Sequence, residues 1–295
     1  MSIIATSRKI LRLCVHFLFF RIPNGNKPGG AVSEVFAQKG GEMVVVQPTN
    51  KSVEAFEGLH LYHGAISNCS MRVRMTLVEK GLDWTSHHVD LKKKENITDD
   101  YFGINPKGLV PTLVHNGVVH TESNDIIDYL DNAYGEPSLR AEDTEALMSW
   151  LELATSLHVP AVKPYVYATI IAPKVKKTAE EEAKYAELQK NEELSKFHAQ
   201  HAGGKQFQGE AFKAAEAKLN EAFSKLESTL AGCKWMMGDK FTLADISWIP
   251  LHFVLIGCGY PFQNYPNITR WADACAKRQS FKEGILEWCP DFSKV

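Results

Sequence analysis

A thiol lies in the turn of residues 67–70 (Ser-Asn-Cys-Ser), between a short apolar segment and a segment with helical apolar spacing. Cys69 therefore stands at a predicted helix N-terminus, where main-chain amides and the helix dipole lower the pKa of a thiol. Arg72 and Arg74 follow within about one turn and add positive potential. The pattern favours a nucleophile or a cysteine that forms mixed disulfides, and the Ser67 hydroxyl could instead hydrogen-bond a ligand thiolate. The alternative is a small buried residue, as free cysteines usually are.

A second stretch has the pattern of a docking edge for a short peptide. Residues 105–113 read Asn-Pro-Lys-Gly-Leu-Val-Pro-Thr-Leu. Pro111 follows a glycine-containing loop and precedes a predicted strand, so the Val110–Pro111 bond is a candidate for the cis form. The main-chain N–H and C=O of Val110 would then be free to pair with another chain, strand to strand. The alternative is an ordinary proline that begins a strand.

A third group, residues 121–123 (Thr-Glu-Ser), lies where a predicted strand ends and a helix begins. Ser123 is a natural N-cap, and the unpaired amides at a helix start bind a carboxylate well. Glu122 could take the ammonium group of the same ligand. The alternative is that these residues only cap the helix.

The elements that position these groups follow from apolar periodicity and turn signals. The first part is predicted to have the order β-α-β-α-β-β-α, with Asn116-Gly117 as the hairpin signal. The segments are 59–63, 70–81, 84–89, 97–103, 112–115, 118–121 and 123–134. Strand signals stop after Pro137, and helices are predicted at 142–159, 178–200, 209–231, 243–258 and 267–280, with a capping box at residues 242–245.

This order predicts a mixed α/β domain over residues 58–136 and an all-helical domain over residues 141–290. A chain of 295 residues, with 44% apolar and 23% charged residues, is typical of a soluble protein with two modest domains. A net charge of -2 gives no reason to expect a nucleic acid partner. The 6 cysteines show no C-x-x-C pair and no metal-ligand spacing, which favours a reducing compartment and no metal site.

Residues 1–57 are assigned to an N-terminal extension that is either disordered or a targeting segment. Basic residues precede the first acid, Glu34, as in an organellar transit peptide. The apolar run over residues 10–20 is short and interrupted for a membrane anchor, so membrane contact stays an open alternative. Met43 offers a later start, in which case the upstream residues would be a misassigned beginning. The expected location is cytoplasmic, with organelle targeting as the alternative.

Taken in order, these pieces resemble the cytosolic glutathione transferases over about residues 59–290. The motifs that carry the resemblance are the turn at 67–70, Asn-Pro-x-Gly-x-Val-Pro at 105–111, Glu-Ser at 122–123 and Phe-Thr-Leu-Ala-Asp at 241–245. The cysteine-bearing turn resembles tetrachlorohydroquinone reductive dehalogenase and the zeta-class maleylacetoacetate isomerases. The zeta-class proteins usually have Trp where this chain has Met71. Bacterial β-etherases share the second and third motifs but differ at the catalytic turn.

The resemblance implies a thioredoxin-like domain followed by the helical domain, usually in a homodimer, with glutathione as co-substrate and no metal or nucleotide. It implies that Val110, beside Pro111, pairs with the cysteinyl backbone of glutathione. Glu122 and Ser123 would hold the γ-glutamyl end, and Lys107 would lie near the glycine carboxylate. A small hydrophobic electrophile would sit between the two domains.

The predicted function is a glutathione-dependent transferase of the detoxification type, acting on an aromatic or quinoid electrophile by reductive dehalogenation or thiol transfer through Cys69. One alternative is conjugation, isomerisation or aryl-ether cleavage, with Ser67 or Asn68 stabilising the glutathione thiolate. Another is a transferase-like protein that binds partners without catalysis. Aromatic and imidazole side chains of the helical domain are candidates for the electrophile pocket, or for simple helix packing: Trp150, His158 and Tyr165.

Overall fold

The computed structural model describes residues 45–168, 178–189, 192, 195–196 and 209–289. The basic N-terminal segment, the apolar run at 10–20 and the start at Met43 all lie outside these ranges, as does part of the helix predicted at 178–200. Within the described ranges, no helix has both the length and the apolar character needed to cross a bilayer.

The first half of the described chain is a mixed sheet with helices, in the predicted order. Its strands are β1 (Val45–Val46), β2 (Leu59–His63), β3 (Thr85–His88), β4 (Thr112–His115) and β5 (Val118–His120). Its helices are α1 (Asn68–Glu79), α2 (Asp99–Ile104) and α3 (Ser123–Tyr134). The strand order is β1-β5-β4-β2-β3, with β2 and β3 parallel and the other neighbours antiparallel. The predicted thioredoxin-like arrangement is confirmed.

The hairpin between β4 and β5 forms where the sequence predicts it. Asn116 and Gly117 both have positive φ, 49° and 81°, as a tight two-residue turn requires. The register pairs Leu113 with His120 and Val114 with Val119, which places Val114 and Val119 on one face. Both are fully buried there, in a small apolar cluster with Val53 and Ile104.

Residues 45–57 are ordered parts of the sheet domain, although they fall in the range assigned to the extension. Strand β1 pairs with β5 through Val45 opposite His120, and a 3-10 turn follows at Lys51–Ala55. Val53 of that turn is buried under the sheet. A two-residue strand has no measurable alternation, so its periodicity could not be recognised in the sequence.

The second half is helical, as predicted. The described segments are α4 (Thr144–Ser156), a π-helical turn (His158–Val162), α5 (Lys163–Val166), α6 (Ala179–Leu188), α7 (Glu210–Leu230), α8 (Leu243–Gly257), a 3-10 turn (Phe262–Asn264), α9 (Pro266–Cys275), α10 (Gln279–Phe281) and a second π-helical turn (Lys282–Leu286). Helix α8 is buried over nearly its whole circumference. At its start, the Asp245 carboxylate accepts the main-chain N–H of Thr242, as the predicted capping box requires.

Helix α1 lies between the two halves and is buried on both sides, because apolar residues surround it. Met71, Val73, Met75 and Leu77 have no exposed surface and join one core with residues of the helical domain. Every residue from Ser70 to Leu77 is buried, which is typical of a helix that is covered all round rather than amphipathic. The position of α1 is therefore fixed by both domains.

The junction between the domains also has polar contacts, centred on Asn124 of α3. Its side-chain Nδ2 donates to the carbonyl of Leu151 (2.7 Å) and to Oγ1 of Thr155 (2.8 Å). Its Oδ1 accepts the hydroxyl of Ser247 (2.8 Å). All of these partners belong to the helical domain.

The carboxyl-terminal part of the described chain packs onto α1 and the loop before it. Arg74 is buried, and its Nε donates to the carbonyl of Gly284 (2.7 Å) while its Nη2 donates to the carbonyl of Ala65 (2.9 Å). A Cβ atom at Gly284 would lie 2.9 Å from the main-chain nitrogen of Met75, so only glycine fits. The Trp288 ring lies across Arg74, 5.4 Å from the guanidinium carbon.

Candidate active site

Cys69 lies in the first turn of α1, close to the position that the sequence predicts. The helix is capped by Ser67, whose Oγ accepts the main-chain N–H of Ser70 (3.2 Å). Ser67 therefore serves the helix, while its own O–H remains able to donate to a ligand. The Cys69 side chain is half-buried. Asn68 beside it is buried, and its Nδ2 has no hydrogen-bond partner among the described residues.

Two basic side chains approach the Cys69 sulfur. Arg72 Nη1 lies 3.9 Å from Sγ, because residues three apart share one helix face. His158 Nδ1 also lies 3.9 Å from Sγ and comes from the π-helical turn after α4. Burial alone would raise the pKa of Cys69, but the His158 and Arg72 side chains more than offset it and lower this pKa to about 6. A large fraction of the sulfur is then thiolate at neutral pH.

Arg72 is a buried cation that is held by neutral oxygens. Its Nε donates to the carbonyl of Ser247 (2.8 Å), and its Nη1 donates to Oγ of Ser123 (3.0 Å). Its Nη2 has no partner among the described residues. None of the ion pairs within the described ranges includes Arg72. The Cys69 thiolate is the negative charge that acts on Arg72, and the Arg72 cation in turn favours the ionised sulfur.

Ser123 has a different role from the N-cap that the sequence predicts. Helix α3 includes Ser123 as its first residue, and its N-cap is Glu122, which has a positive φ of 65° and makes no side-chain cap bond. The Ser123 hydroxyl accepts from Arg72 instead, and it also helps to lower the pKa of Cys69. The unusual backbone of Glu122 turns the chain sharply between β5 and α3.

The loop before β4 brings the other predicted ligand-binding residues together. The Val110–Pro111 bond is cis. Among the described residues, the main-chain N–H and C=O of Val110 pair with no other main-chain group.

Lys107 Nζ and Glu122 Oε1 form an ion pair at 2.5 Å, so the two charges expected at opposite ends of a peptide ligand contact each other. Asn105, which sequence reasoning did not single out, shapes this loop by donating to the carbonyl of Leu109 (2.9 Å).

The end of helix α6 contacts this loop from the helical domain, and no local sequence pattern predicts this contact. Gln189 Nε2, directly after α6, donates to the carbonyl of Lys107 (2.7 Å), and Glu181 of α6 pairs with Lys94 in the separate loop after β3. Both contacts join segments far apart in the sequence, so no local spacing predicts them.

Of the residues proposed for the electrophile pocket, His158 contacts the thiol, whereas Trp150 and Tyr165 make core contacts. Trp150 is buried and packs edge-on against Trp248, whose Nε1 donates to the Trp150 carbonyl (3.0 Å). Tyr165 is buried and stacks on Phe212, with ring centroids 5.0 Å apart. Helical spacing alone could not separate core aromatics from pocket aromatics. Within the described ranges, no three His, Cys, Asp or Glu residues are grouped as metal ligands.

Comparison with known proteins agrees with this architecture. Residues 66–133 match the model of the glutathione S-transferase N-terminal domain, and residues 201–279 match that of the glutathione S-transferase C-terminal domain. The chain has the two-domain glutathione S-transferase fold. The crystal structure of the β-etherase LigF from Sphingobium sp. strain SYK-6 superposes on this fold with a TM-score of 0.68 and 26% identity, covering 77% of this chain and 98% of that one.

The curated glutathione S-transferases that are similar in sequence include two from Arabidopsis thaliana. Glutathione S-transferase Z1 is 45% identical over 87 residues, which are 30% of this chain and 39% of that protein. Glutathione S-transferase TCHQD is 30% identical over 113 residues, 35% of this chain and 42% of that protein. The chain thus spans less than half the length of these two relatives.

Proposed function

We propose that the protein is a glutathione transferase that acts on an aromatic or quinoid electrophile through the Cys69 thiolate. The observation that carries the proposal is the half-buried Cys69 sulfur with two basic side chains at 3.9 Å, His158 and Arg72, and a pKa lowered to about 6. A thiol that only fills space in a core has no need of such neighbours. The domain matches and the similarity to the zeta-class and TCHQD transferases support the glutathione part.

Glutathione would bind along the loop before β4. The unpaired main-chain groups of Val110, next to Pro111, suit the cysteinyl backbone of the tripeptide. Lys107 would bind the glycine carboxylate, and Glu122, beside Ser123 and the start of α3, would bind the γ-glutamyl end. Because Lys107 and Glu122 pair with each other in the structure, the ligand would have to replace that ion pair with its own charges.

The chemistry we propose has three bond-making steps. The glutathione thiolate displaces a leaving group such as halide from the electrophile and gives a glutathionyl adduct. The Cys69 thiolate then attacks the sulfur of that adduct, the carbon–sulfur bond breaks, and the aromatic carbon leaves with the electron pair and takes a proton. The aromatic group is reduced, and Cys69 is left in a mixed disulfide with glutathione. A second glutathione thiolate attacks that disulfide, releasing oxidised glutathione and the Cys69 thiolate.

A second candidate function is aryl-ether cleavage or conjugation, in which Cys69 takes no part. The superposition on a β-etherase favours it, as does the Ser67 hydroxyl, which keeps its proton available for a ligand thiolate. Isomerisation of the maleylacetoacetate type would use the same glutathione thiolate. The predicted homodimer, the cytoplasmic location and the domain limits 58–136 and 141–290 remain predictions.

The test is a turnover panel of halogenated hydroquinones, aryl ethers and maleyl compounds with the wild type, Cys69→Ser and Ser67→Ala. We expect Cys69→Ser to stall, with the glutathionyl adduct accumulating. Its rate of formation of the reduced product should be at least about 100-fold below that of the wild type. Ser67→Ala should retain that step. Full turnover by Cys69→Ser would contradict the thiol mechanism and favour the second candidate. Failure of the folded wild type to bind immobilised glutathione would contradict both.

A further inference from the structure

We propose that His158 is the catalytic proton carrier of the Cys69 site and that Arg72 is a positioning residue that holds the sulfur charge. This inference rests on the proposed function and assigns the proton transfers within it. Three features of the described structure carry it: the approach of His158, the fixed position of its turn, and the different environments of the two basic side chains.

The first feature is geometry. His158 Nδ1 faces the Cys69 sulfur at 3.9 Å, and the imidazole is half-buried rather than enclosed. It can therefore contact both the reacting sulfur and a group that enters from outside. Neutral imidazole accepts a proton at one nitrogen and imidazolium donates it, so a single side chain can serve both directions.

The second feature is the turn that carries His158. After α4 ends at Ser156, the chain widens into the π-helical turn His158–Val162, in which the His158 carbonyl accepts the N–H of Lys163. Pro160 within this turn has no N–H to donate, which favours an irregular turn over a continued α-helix. Single π-helical turns are frequently found at functional sites, where the extra residue redirects a side chain. Here the redirected side chain points to a thiol 89 residues away in the sequence.

The third feature is the contrast between the two basic side chains. Arg72 is buried, bonded to Ser247 and Ser123, and does not release a proton in proteins, so its charge stays in place through the reaction. His158 is the neighbour whose imidazole can accept a proton at a ring nitrogen and donate it again. Among the described residues, His158 and Arg72 are the charged or titratable side chains that act on the Cys69 sulfur, together with the Ser123 hydroxyl. The division of roles follows from their chemistry.

The proton balance closes over one cycle. The Cys69 proton first moves to His158, giving a thiolate–imidazolium pair. When Cys69 attacks the adduct sulfur, the imidazolium gives its proton to the departing aromatic group, and His158 becomes neutral. Neutral His158 then accepts the proton of the second glutathione, whose thiolate attacks the mixed disulfide and releases Cys69 as a thiolate. The imidazolium is thereby restored.

The experiment separates proton transfer from simple charge stabilisation. We would prepare His158→Gln and His158→Asn, with His88→Gln as control, because His88 is exposed and lies on the sheet near Trp288. Each variant is mixed with purified glutathionyl-aromatic adducts whose leaving groups span a range of basicity. Single-turnover release of the reduced aromatic is measured as a function of pH, with retention on immobilised glutathione as the folding check.

We expect release to fall about 100-fold in both His158 variants, more for basic leaving groups than for acidic ones, because only basic groups need the proton early. His88→Gln should behave as the wild type. Partial recovery of His158→Asn by added imidazole would support a proton-transfer role. Equal losses for all leaving groups, or wild-type release by a glutathione-binding His158 variant, would overturn the inference and leave the proposed function standing. Release of the reduced aromatic by Cys69→Ser at the wild-type rate would instead overturn the proposed function.

Discussion

The Cys69 sulfur shows how opposing effects on one pKa are decided by its neighbours. Burial favours the neutral thiol, since an ion in a low-dielectric site loses hydration. The His158 and Arg72 side chains, both 3.9 Å away, favour the thiolate and outweigh burial, so the pKa falls to about 6. Because this folded-state pKa lies below the ordinary value, the thiolate contributes stability that is complete at alkaline pH and is lost as the pH falls through about 6.

This balance predicts the reactivity of Cys69. Alkylation by iodoacetamide, followed by mass spectrometry of the peptide that contains Cys69, should rise with a midpoint near pH 6. Arg72→Lys, which keeps a charge but loses the planar group held between Ser247 and Ser123, should raise that midpoint. A midpoint in the range of an ordinary thiol in the wild-type protein would contradict the proposed activation of Cys69.

Some features of the Cys69 site could be predicted from the sequence, and others could not. The helix start at Cys69 and the loop at Val110 were predictable because each depends on residues a few positions apart. The contact of His158 with Cys69 was not, since the two are 89 residues apart and helical spacing places His158 equally well in a pocket or a core. The bond from Arg72 to Ser123 likewise exists only once α1 and α3 are packed.

At the scale of elements, the hairpin between β4 and β5 depends on the absence of a side chain at Gly117. A Cβ atom there would lie 2.5 Å from the Glu54 carbonyl oxygen of the 3-10 turn, and φ is +81°. We predict that Gly117→Ala lowers the free energy of unfolding by roughly 1–3 kcal/mol, measured by urea denaturation. The control is Gly232→Ala, where the added Cβ meets nothing within 4 Å, and it should change stability by less than about 0.5 kcal/mol. Equal effects of the two substitutions would be inconsistent with this packing.

A bidentate ion pair joins the end of α1 to Arg278, the residue directly before α10. Arg278 Nε and Nη2 each lie 2.7 Å from a carboxylate oxygen of Glu79 at the end of α1. We predict that Arg278→Lys, which cannot make the paired bonds, lowers the free energy of unfolding by about 1 kcal/mol in chemical denaturation. Lys51→Ala removes a single exposed ion pair to Glu54 and should have almost no effect.

The sequence predicted helices and strands correctly where apolar residues repeat over several turns or strands. The order β-α-β-α-β-β-α and the helices of the second half carry apolar repeats over several turns or strands. Strand β1 has two residues and therefore no period, and its pairing with β5 requires the finished hairpin. The helix predicted at 142–159 is divided in the structure, since α4 ends at Ser156 and a π-helical turn follows.

At the scale of the whole molecule, the two domains share one core and a polar junction. Asn124 places all of its described side-chain bonds on the helical domain, to Leu151, Thr155 and Ser247. Buried donors and acceptors that lose their partners are costly, so the junction should couple the unfolding of both domains.

We therefore predict that Asn124→Ala lowers the free energy of unfolding by roughly 2–3 kcal/mol in urea, with both domains still unfolding in one transition. Asn132→Ala is the matched control on the same helix, because the side-chain bonds of Asn132, to Asp128 and from Arg140, are exposed and their loss should change stability by less than about 0.5 kcal/mol. A stability loss in Asn132→Ala as large as that in Asn124→Ala would show that the junction is not the cause.

The packing of Gly284 and Trp288 against Arg74 links the distal part of the polypeptide to the reactive sulfur. Helix α1, which contains Cys69, contacts residues that lie more than two hundred positions later in the sequence. Cys69 can therefore reach its working geometry only after residues 284–288 have been synthesised, and a chain released before that point would present α1 without these contacts.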